Sequence, residues 1–290
     1  MSIGTSFLNN GIIDCHVHAI HRNTGASILF PDLPIDEITC KQSHIVRLES
    51  VINGKHKYTC STCNRVVYFG EDPFVKYNHA LMNGRRKNEL VFPYIPISPF
   101  SLEQIECYER AYPGLIFGYK LHPNYSNYDI DKFKPKQNRI YIIHSGVGER
   151  ENPLKIIHFA KKINGVVIIA HLGRFCKQAF DLSKLMDNVY FDCSPLSLLW
   201  NSYITHSDRI FDPSFLGVFS SPSEMIKLVA DYIGWDKLVY GSDAPLGDYS
   251  FDMACCRNLD MSLKHRICSK NIVKLLNRIS DVQSTEKSTL

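Results

Sequence analysis

The run Asp14-Cys15-His16-Val17-His18 follows the short apolar stretch Gly11-Ile12-Ile13. Side chains alternate along a strand, so His16 and His18 point the same way. Two imidazoles on one face at a strand end can hold a divalent ion. One His-x-His is a weak signal, but later apolar runs repeat the theme. They end in Lys120-Leu121-His122-Pro123, His144-Ser145-Gly146, Ala170-His171-Leu172-Gly173, Asp192-Cys193-Ser194 and Gly241-Ser242-Asp243-Ala244-Pro245. Histidine with carboxylate is a ligand set for a hard-to-borderline divalent ion. Such an ion lowers the pKa of bound water to about 7 and polarises a carbonyl oxygen.

These groups need a scaffold that brings strand ends together. Eight strand candidates alternate with helical patterns: 11–17, 65–69, 91–97, 115–121, 139–144, 165–171, 188–193 and 237–242. Val166-Val167-Ile168-Ile169-Ala170 is apolar at every position, as in parallel strands buried on both faces. Amphipathic stretches at 153–163, 221–233 and 264–279 have helical period, with Pro153 and Pro222 suited to first turns. Strands alternating with helices predict an α/β fold, a (β/α)8 TIM barrel, whose catalytic groups gather at the C-terminal mouth. Residues 20–64 exceed an ordinary strand-to-helix connection and predict an insertion at the active-site face, with a helix over 35–53. One domain spans 1–280, and the polar stretch 281–290 is expected to be a disordered tail.

The ordered set His-x-His, Lys-Leu-His-Pro, His-Ser-Gly, Ala-His-Leu-Gly and Gly-Ser-Asp-x-Pro resembles the amidohydrolase superfamily, more narrowly its amidohydrolase-related branch of TIM-barrel metal-dependent hydrolases. The resemblance spans roughly Gly11 to Leu276. It implies that His16, His18, His144 and Asp243 are metal ligands. It implies that His171 is a ligand in a two-metal arrangement or a substrate-polarising group in a one-metal arrangement. Lys120 falls where two-metal members carry a carbamylated lysine. Asp243 could move a proton from water to the leaving group, and His171 could stabilise the developing oxyanion. The implied activity is hydrolysis of an amide, lactone or ester bond in a small molecule, one that could carry a carboxylate. The same branch contains nonoxidative decarboxylases of aromatic or enolic acids, with nearly the same site residues.

Other readings stand beside these. Lys120 is a carbamate bridge, a free cation that binds substrate, or a salt-bridged lysine. His122 binds substrate or makes a structural hydrogen bond. Arg174 forks onto a substrate carboxylate or joins a surface ion pair. Asp192 is expected to hydrogen-bond a ligand imidazole, and Cys15 to be a small core residue. Cys60-Ser61-Thr62-Cys63 has the spacing of half a zinc site, which Cys40, His44 or His56 could complete; free thiols are the plainer reading.

A net charge of +4 over 290 residues, with no long basic run, argues against nucleic-acid binding. This weighs against a TatD-like nuclease, which also opens with His-x-His but usually carries a glutamate after the fourth strand. Neither a secretory signal nor a membrane span is evident, and ten scattered cysteines suit a reducing cytoplasm. The expected cofactor is one or two divalent ions, zinc first, with manganese or iron as alternatives. The expected partner is a small-molecule substrate, and the resemblance suggests a homodimer.

Overall fold

The computed structural model describes residues 13–16, 46–47, 57–59, 66–68, 90–95, 97–113, 116–125, 128–205, 212–215, 217–243 and 247–288. The strands are β1 (Val46–Arg47), β2 (Lys57–Thr59), β3 (Val66–Tyr68), β4 (Leu90–Val91), β5 (Gly118–Leu121), β6 (Ile140–Ile143), β7 (Val166–Ile169), β8 (Val189–Asp192) and β9 (Leu238–Val239). The helices are α1 (Ser101–Ala111), α2 (Pro153–Ala160), α3 (Lys177–Ser183), α4 (Leu196–Ile204), α5 (Pro222–Ile233), α6 (Tyr249–Arg257), α7 (Met261–His265) and α8 (Asn271–Ser288).

Strands β5 to β9 form one parallel sheet in sequence order. Their side chains are buried on both faces, which is why the sequence writes them as apolar runs. Backbone bonds continue the sheet at both edges. On one side Ile95 N donates to Lys120 O and Lys120 N to Pro93 O, each at 2.9 Å. On the other, Cys15 N donates to Tyr240 O at 3.0 Å and Asp243 N to His16 O at 2.6 Å. The architecture is that of a (β/α)8 barrel.

Alternation divides the core. Tyr119, Leu121, Tyr141, Ile143, Val167, Ile169 and Phe191 pack with apolar residues of the helices. Ile140, Ile142, Val166, Ile168, Tyr190 and Val239 form a second cluster with Ile13, Cys15 and apolar residues of α8. Lys120 and Asp192 occupy the same alternate positions as this second set. A π-helical turn, Arg266–Lys270, joins α7 to α8. Its Ile267 and Cys268 carbonyls accept from Tyr240 N and Ile13 N at 3.0 and 2.7 Å, tying the closing helices to the strands that carry His16 and Asp243.

Local chemistry sets the helix starts. Asn152 accepts from Leu154 N at 2.9 Å ahead of α2, and Ser221 accepts from Glu224 N at 3.2 Å ahead of α5. A proline follows each cap and fits the first turn.

Three expectations need correction. The run 65–69 is not a strand of the parallel sheet: β3 folds antiparallel onto β2 in a separate hairpin. Within the helix expected over 35–53, Val46–Arg47 is a strand parallel to Leu90–Val91; Ile45 and Val46 are β-branched, which favours extension over helix. The helix α8 runs to Ser288, past the point where a disordered tail was expected; Glu286 and Lys287 are residue types of high helix propensity. The rest of the expected insertion, with Cys40, His44, Cys60 and Cys63, lies outside the described residues, except for β1 and β2.

Candidate metal centre

Lys120, His122, His144, His171, Asp192 and Asp243 all lie at or just past the C-terminal ends of β5 to β9. His16 joins them through the pairing of its segment with residues 240–243. His18 lies outside the described residues.

His16 Nδ1 is 2.9 Å from Asp192 Oδ2 and 2.9 Å from Ser194 Oγ. Ser194 Oγ donates its own proton to Asp192 Oδ1 at 2.5 Å, so both groups facing Nδ1 accept, and Nδ1 carries the ring proton. The other nitrogen, Nε2, then presents a lone pair. It faces Lys120 Nζ at 2.9 Å and Asp243 Oδ1 at 3.1 Å. Burial and Lys120 push the His16 pKa down, but Asp243 and Asp192 outweigh them and raise it.

His171 is fixed in the same way. Its Nδ1 lies 2.7 Å from the Ser194 carbonyl, which can only accept, so Nδ1 is protonated and Nε2 is bare. His171 Nε2 lies 2.9 Å from His144 Nδ1. Burial, with Arg174 nearby, lowers the His171 pKa to about 3. Burial and the neighbouring His122 hold His144 well below the usual range. Both rings are neutral at neutral pH, as ligands must be.

Asp192 lies within ligand spacing of His16 and His171, all three donor atoms falling within 4.8 Å of one another. Its carboxylate is nevertheless fully engaged. Besides His16 and Ser194 Oγ, it accepts from His171 N at 3.0 Å and Ser194 N at 2.9 Å. Burial alone would raise its pKa, yet His16 and these hydrogen bonds hold it below the usual carboxylate range. Asp192 therefore positions two imidazoles, as expected for an acceptor behind a ligand. The donors left facing one another are His16 Nε2 and Asp243 Oδ1, with Lys120 beside them.

With His16 neutral, its Nε2 lone pair 3.1 Å from a carboxylate oxygen is a repulsive contact that positive charge relieves, and the raised pKa of His16 expresses the same demand for positive charge there. Lys120 is the cation there, but burial pulls its pKa down to about 8. The residues present, with carboxylate and imidazole donors converging beside Lys120, thus fit a divalent ion.

A second group, His122, His144 and Glu151, also places its donor atoms within 4.8 Å of one another. His122 stacks on His144 with ring centroids 3.8 Å apart. His144 Nε2 lies 3.4 Å from Glu151 Oε2. Arg174 Nε donates to the Ser145 carbonyl at 3.4 Å, which places the guanidinium beside His144 and His171 at the strand ends.

The backbone under His171 is unusual. His171, Leu172, Gly173, Arg174 and Phe175 all have φ between 49° and 60°, forming a left-handed turn, and Asp243 has φ 54°. For non-glycine residues such conformations cost on the order of 1 kcal/mol each and cluster at functional sites. Burial of Leu172 and Phe175, and the bond from His171 N to Asp192, hold the turn in place.

Sequence reasoning missed Glu151 and Ser194. Ser194 was within reach of it, standing two residues beyond Asp192 on the alternating face. Glu151 was not, because a loop delivers it.

The amidohydrolase family model matches residues 136–278, just under half of the chain. A dihydroxybenzoic acid decarboxylase from Polaromonas sp. JS666, solved with manganese and 2-nitroresorcinol, is 11% identical with a TM-score of 0.57, covering 92% of this chain and 97% of that one. The 2,6-dihydroxybenzoate decarboxylase from Rhizobium is 10% identical (TM-score 0.53; 92% and 98% covered). A structure described as amidohydrolase II is 14% identical (TM-score 0.55; 92% and 99% covered). At these identities the likeness is one of fold. No curated protein sequence matches the chain.

Proposed function

We propose that this chain, which belongs to the amidohydrolase superfamily, is a metal-dependent hydrolase that cleaves an amide, lactone or ester bond in a small substrate, with zinc as its ion. The observation that carries the reading is the convergence of His16 Nε2, Lys120 Nζ and Asp243 Oδ1 around one point. His16 and Asp243 would hold the ion, with His18 the further ligand that the His-x-His spacing implies. His171 and His144 would supply further nitrogens. His171 acts better as a ligand than as an oxyanion donor, because its bare Nε2 has no proton to give. A divalent ion bound here supplies a polarised carbonyl and a more acidic water. Asp243 then accepts the proton of the attacking water at its carboxylate and returns it to the leaving atom. His122 and Arg174 would bind the substrate, Arg174 taking a carboxylate where one is present. Free, buried thiols, among them Cys15, Cys193 and Cys268, support a cytoplasmic setting.

Decarboxylation of an aromatic or enolic acid is the second reading. It is favoured by the manganese-bearing decarboxylase of the same fold and by Lys120, which as a free ammonium leaves room for one ion only. Metal content of wild type and Lys120→Ala tests both readings. Two ions falling in the variant support the bridged hydrolase. One ion in both, with carbon dioxide released from aromatic acids and no lactone opened, supports the decarboxylase. No ion bound in either protein refutes both.

A further inference from the structure

Four groups stand in a row: the Ser194 carbonyl, His171, His144 and the Glu151 carboxylate. The two ends accept only. An imidazole that ligates a metal is neutral, so the two between them bring one proton each to three contacts. One proton belongs to His171 Nδ1, on the Ser194 carbonyl. The other sits either on His144 Nδ1, facing His171, or on His144 Nε2, facing Glu151. In the first case the bare Nε2 meets a carboxylate. In the second, two bare nitrogens meet 2.9 Å apart and both aim at one place.

The surroundings of Glu151 favour the second case. A carboxylate makes hydrogen bonds roughly twice as strong as a neutral acceptor does. Glu151 is buried, and among the described residues no other hydrogen-bond donor reaches its Oε2. Its backbone is pinned at both ends: Gly146 N donates to Glu151 O at 3.0 Å, and Glu151 N to Gly148 O at 3.2 Å. A Cβ on Gly146 would fall 2.0 Å from Glu151 Oε1, so the glycine directly after His144-Ser145 is what admits this side chain. Around a tetrahedral zinc, ligand nitrogens lie about 3.3 Å apart, so the His144–His171 pair needs to open only slightly.

We propose that Glu151 is a positioning residue, which holds the proton of His144 on Nε2 so that Nδ1 faces the metal beside His171 Nε2. This rests on the metal-dependent reading of the site. It repeats at His144 what Asp192 does at His16, through a residue of an entirely different element.

The test uses the whole chain loaded with zinc. Affinity is measured against a competing chromophoric chelator, and nitrogen-15 shifts of the histidine rings report which nitrogen holds metal and which holds hydrogen. In wild type, His144 should show metal on Nδ1 and hydrogen on Nε2. Glu151→Leu should bind zinc about 10–100-fold more weakly with unchanged stoichiometry. Glu151→Gln, whose side-chain oxygen still accepts, should recover most of that loss. A wild-type His144 with metal on Nε2 overturns the proposal, even if Glu151→Leu does not fold. So does a Glu151→Leu variant with wild-type affinity. Loss of one whole ion in Glu151→Gln, the remaining affinity unchanged, overturns it too and makes Glu151 and His122 ligands of a separate ion. A wild type that takes up no zinc refutes the metal reading itself, which is a different result from any of these.

Discussion

Gly241 is where the fold of the site is tightest. A Cβ there would lie 2.6 Å from His16 Cβ, 3.3 Å from Ser194 Cβ and 3.4 Å from His16 N. Non-bonded carbons rest at about 3.5–4.0 Å, so Gly241→Ala forces the His16 segment away by about 1 Å. The backbone bond from Asp243 N to His16 O joins the two segments only two residues further on. The displacement therefore falls directly on the 3.1 Å approach of His16 Nε2 to Asp243 Oδ1. Overpacking of this kind costs about 1–3 kcal/mol of stability, and a misplacement of about 1 Å costs on the order of 100-fold in catalysis. The assay is zinc affinity by chelator competition, with thermal denaturation alongside. We expect at least about tenfold weaker binding, in line with the loss of a group that orients ligands. Gly217 is the control: it has φ 76°, but a Cβ there meets none of the described residues within 4 Å. Gly217→Ala should cost only the conformational penalty of about 1 kcal/mol and leave zinc binding unchanged. A folded Gly241→Ala with wild-type zinc affinity would refute the account of how His16 and Asp243 are brought together.

Two other substitutions probe different layers. Asp192→Asn must keep an oxygen towards the backbone N–H groups of His171 and Ser194, which turns its amide N–H towards His16 Nδ1. The His16 proton then moves to Nε2, and zinc binding should weaken about 10–100-fold in a protein that still folds; unaltered binding would count against the tautomer assignment. Away from the mouth, Glu109 accepts from Tyr119 Oη at 2.8 Å, Lys136 Nζ at 2.6 Å and Arg139 Nε and Nη2 at 2.7 and 2.8 Å. Glu109→Ala should cost about 2–4 kcal/mol in urea denaturation at neutral pH, since it strands a largely buried guanidinium. Burial would raise the pKa of Glu109, but Arg139 and Lys136 lower it below the ordinary value. Its contribution is thus fully present above the unfolded-state pKa and fades as pH falls through the lower folded value. The gap between wild type and variant should shrink in acid, and a gap that widened would contradict the ion-pair account.

The sequence made the site legible where strands deliver it and obscure where loops do. Lys120, His144, His171 and Asp243 follow apolar runs, and parallel pairing fixes the end at which such residues must emerge. Asp192 was readable because alternation points it inward beside the histidines. Pairing was not readable: 46–47 falls within an expected helix and 65–69 within the expected parallel sheet, yet one pairs parallel with β4 and the other antiparallel with β2. Propensity describes a strand's own backbone and says nothing about its neighbour. The left-handed turn at 171–175 was also hidden, since only Gly173 among its five residues signals positive φ. Glu151 leaves no periodic trace, and Gly146 becomes informative only when the clash it avoids is known.

The strain and repulsion gathered at the mouth lead to one further expectation. His16 and Asp243 oppose a lone pair to a carboxylate, His144 and His171 share too few protons, and residues 171–175 hold a costly backbone. Each of these costs falls on the metal-free protein, and a cation relieves the first two. The buried barrel cluster around Ile140, Ile168 and Val239 does not depend on the ion, so the chain should fold without it. Zinc should then stabilise the folded chain through linkage, by about 2.7 kcal/mol at a free concentration 100 times Kd. Thermal denaturation across a zinc titration should show a midpoint that climbs steadily with the logarithm of zinc once Kd is passed, and Asp243→Asn should flatten that climb. A midpoint indifferent to zinc, manganese and iron would mean that Lys120 is all the positive charge these acceptors need, and the metal reading of the site would fall with it.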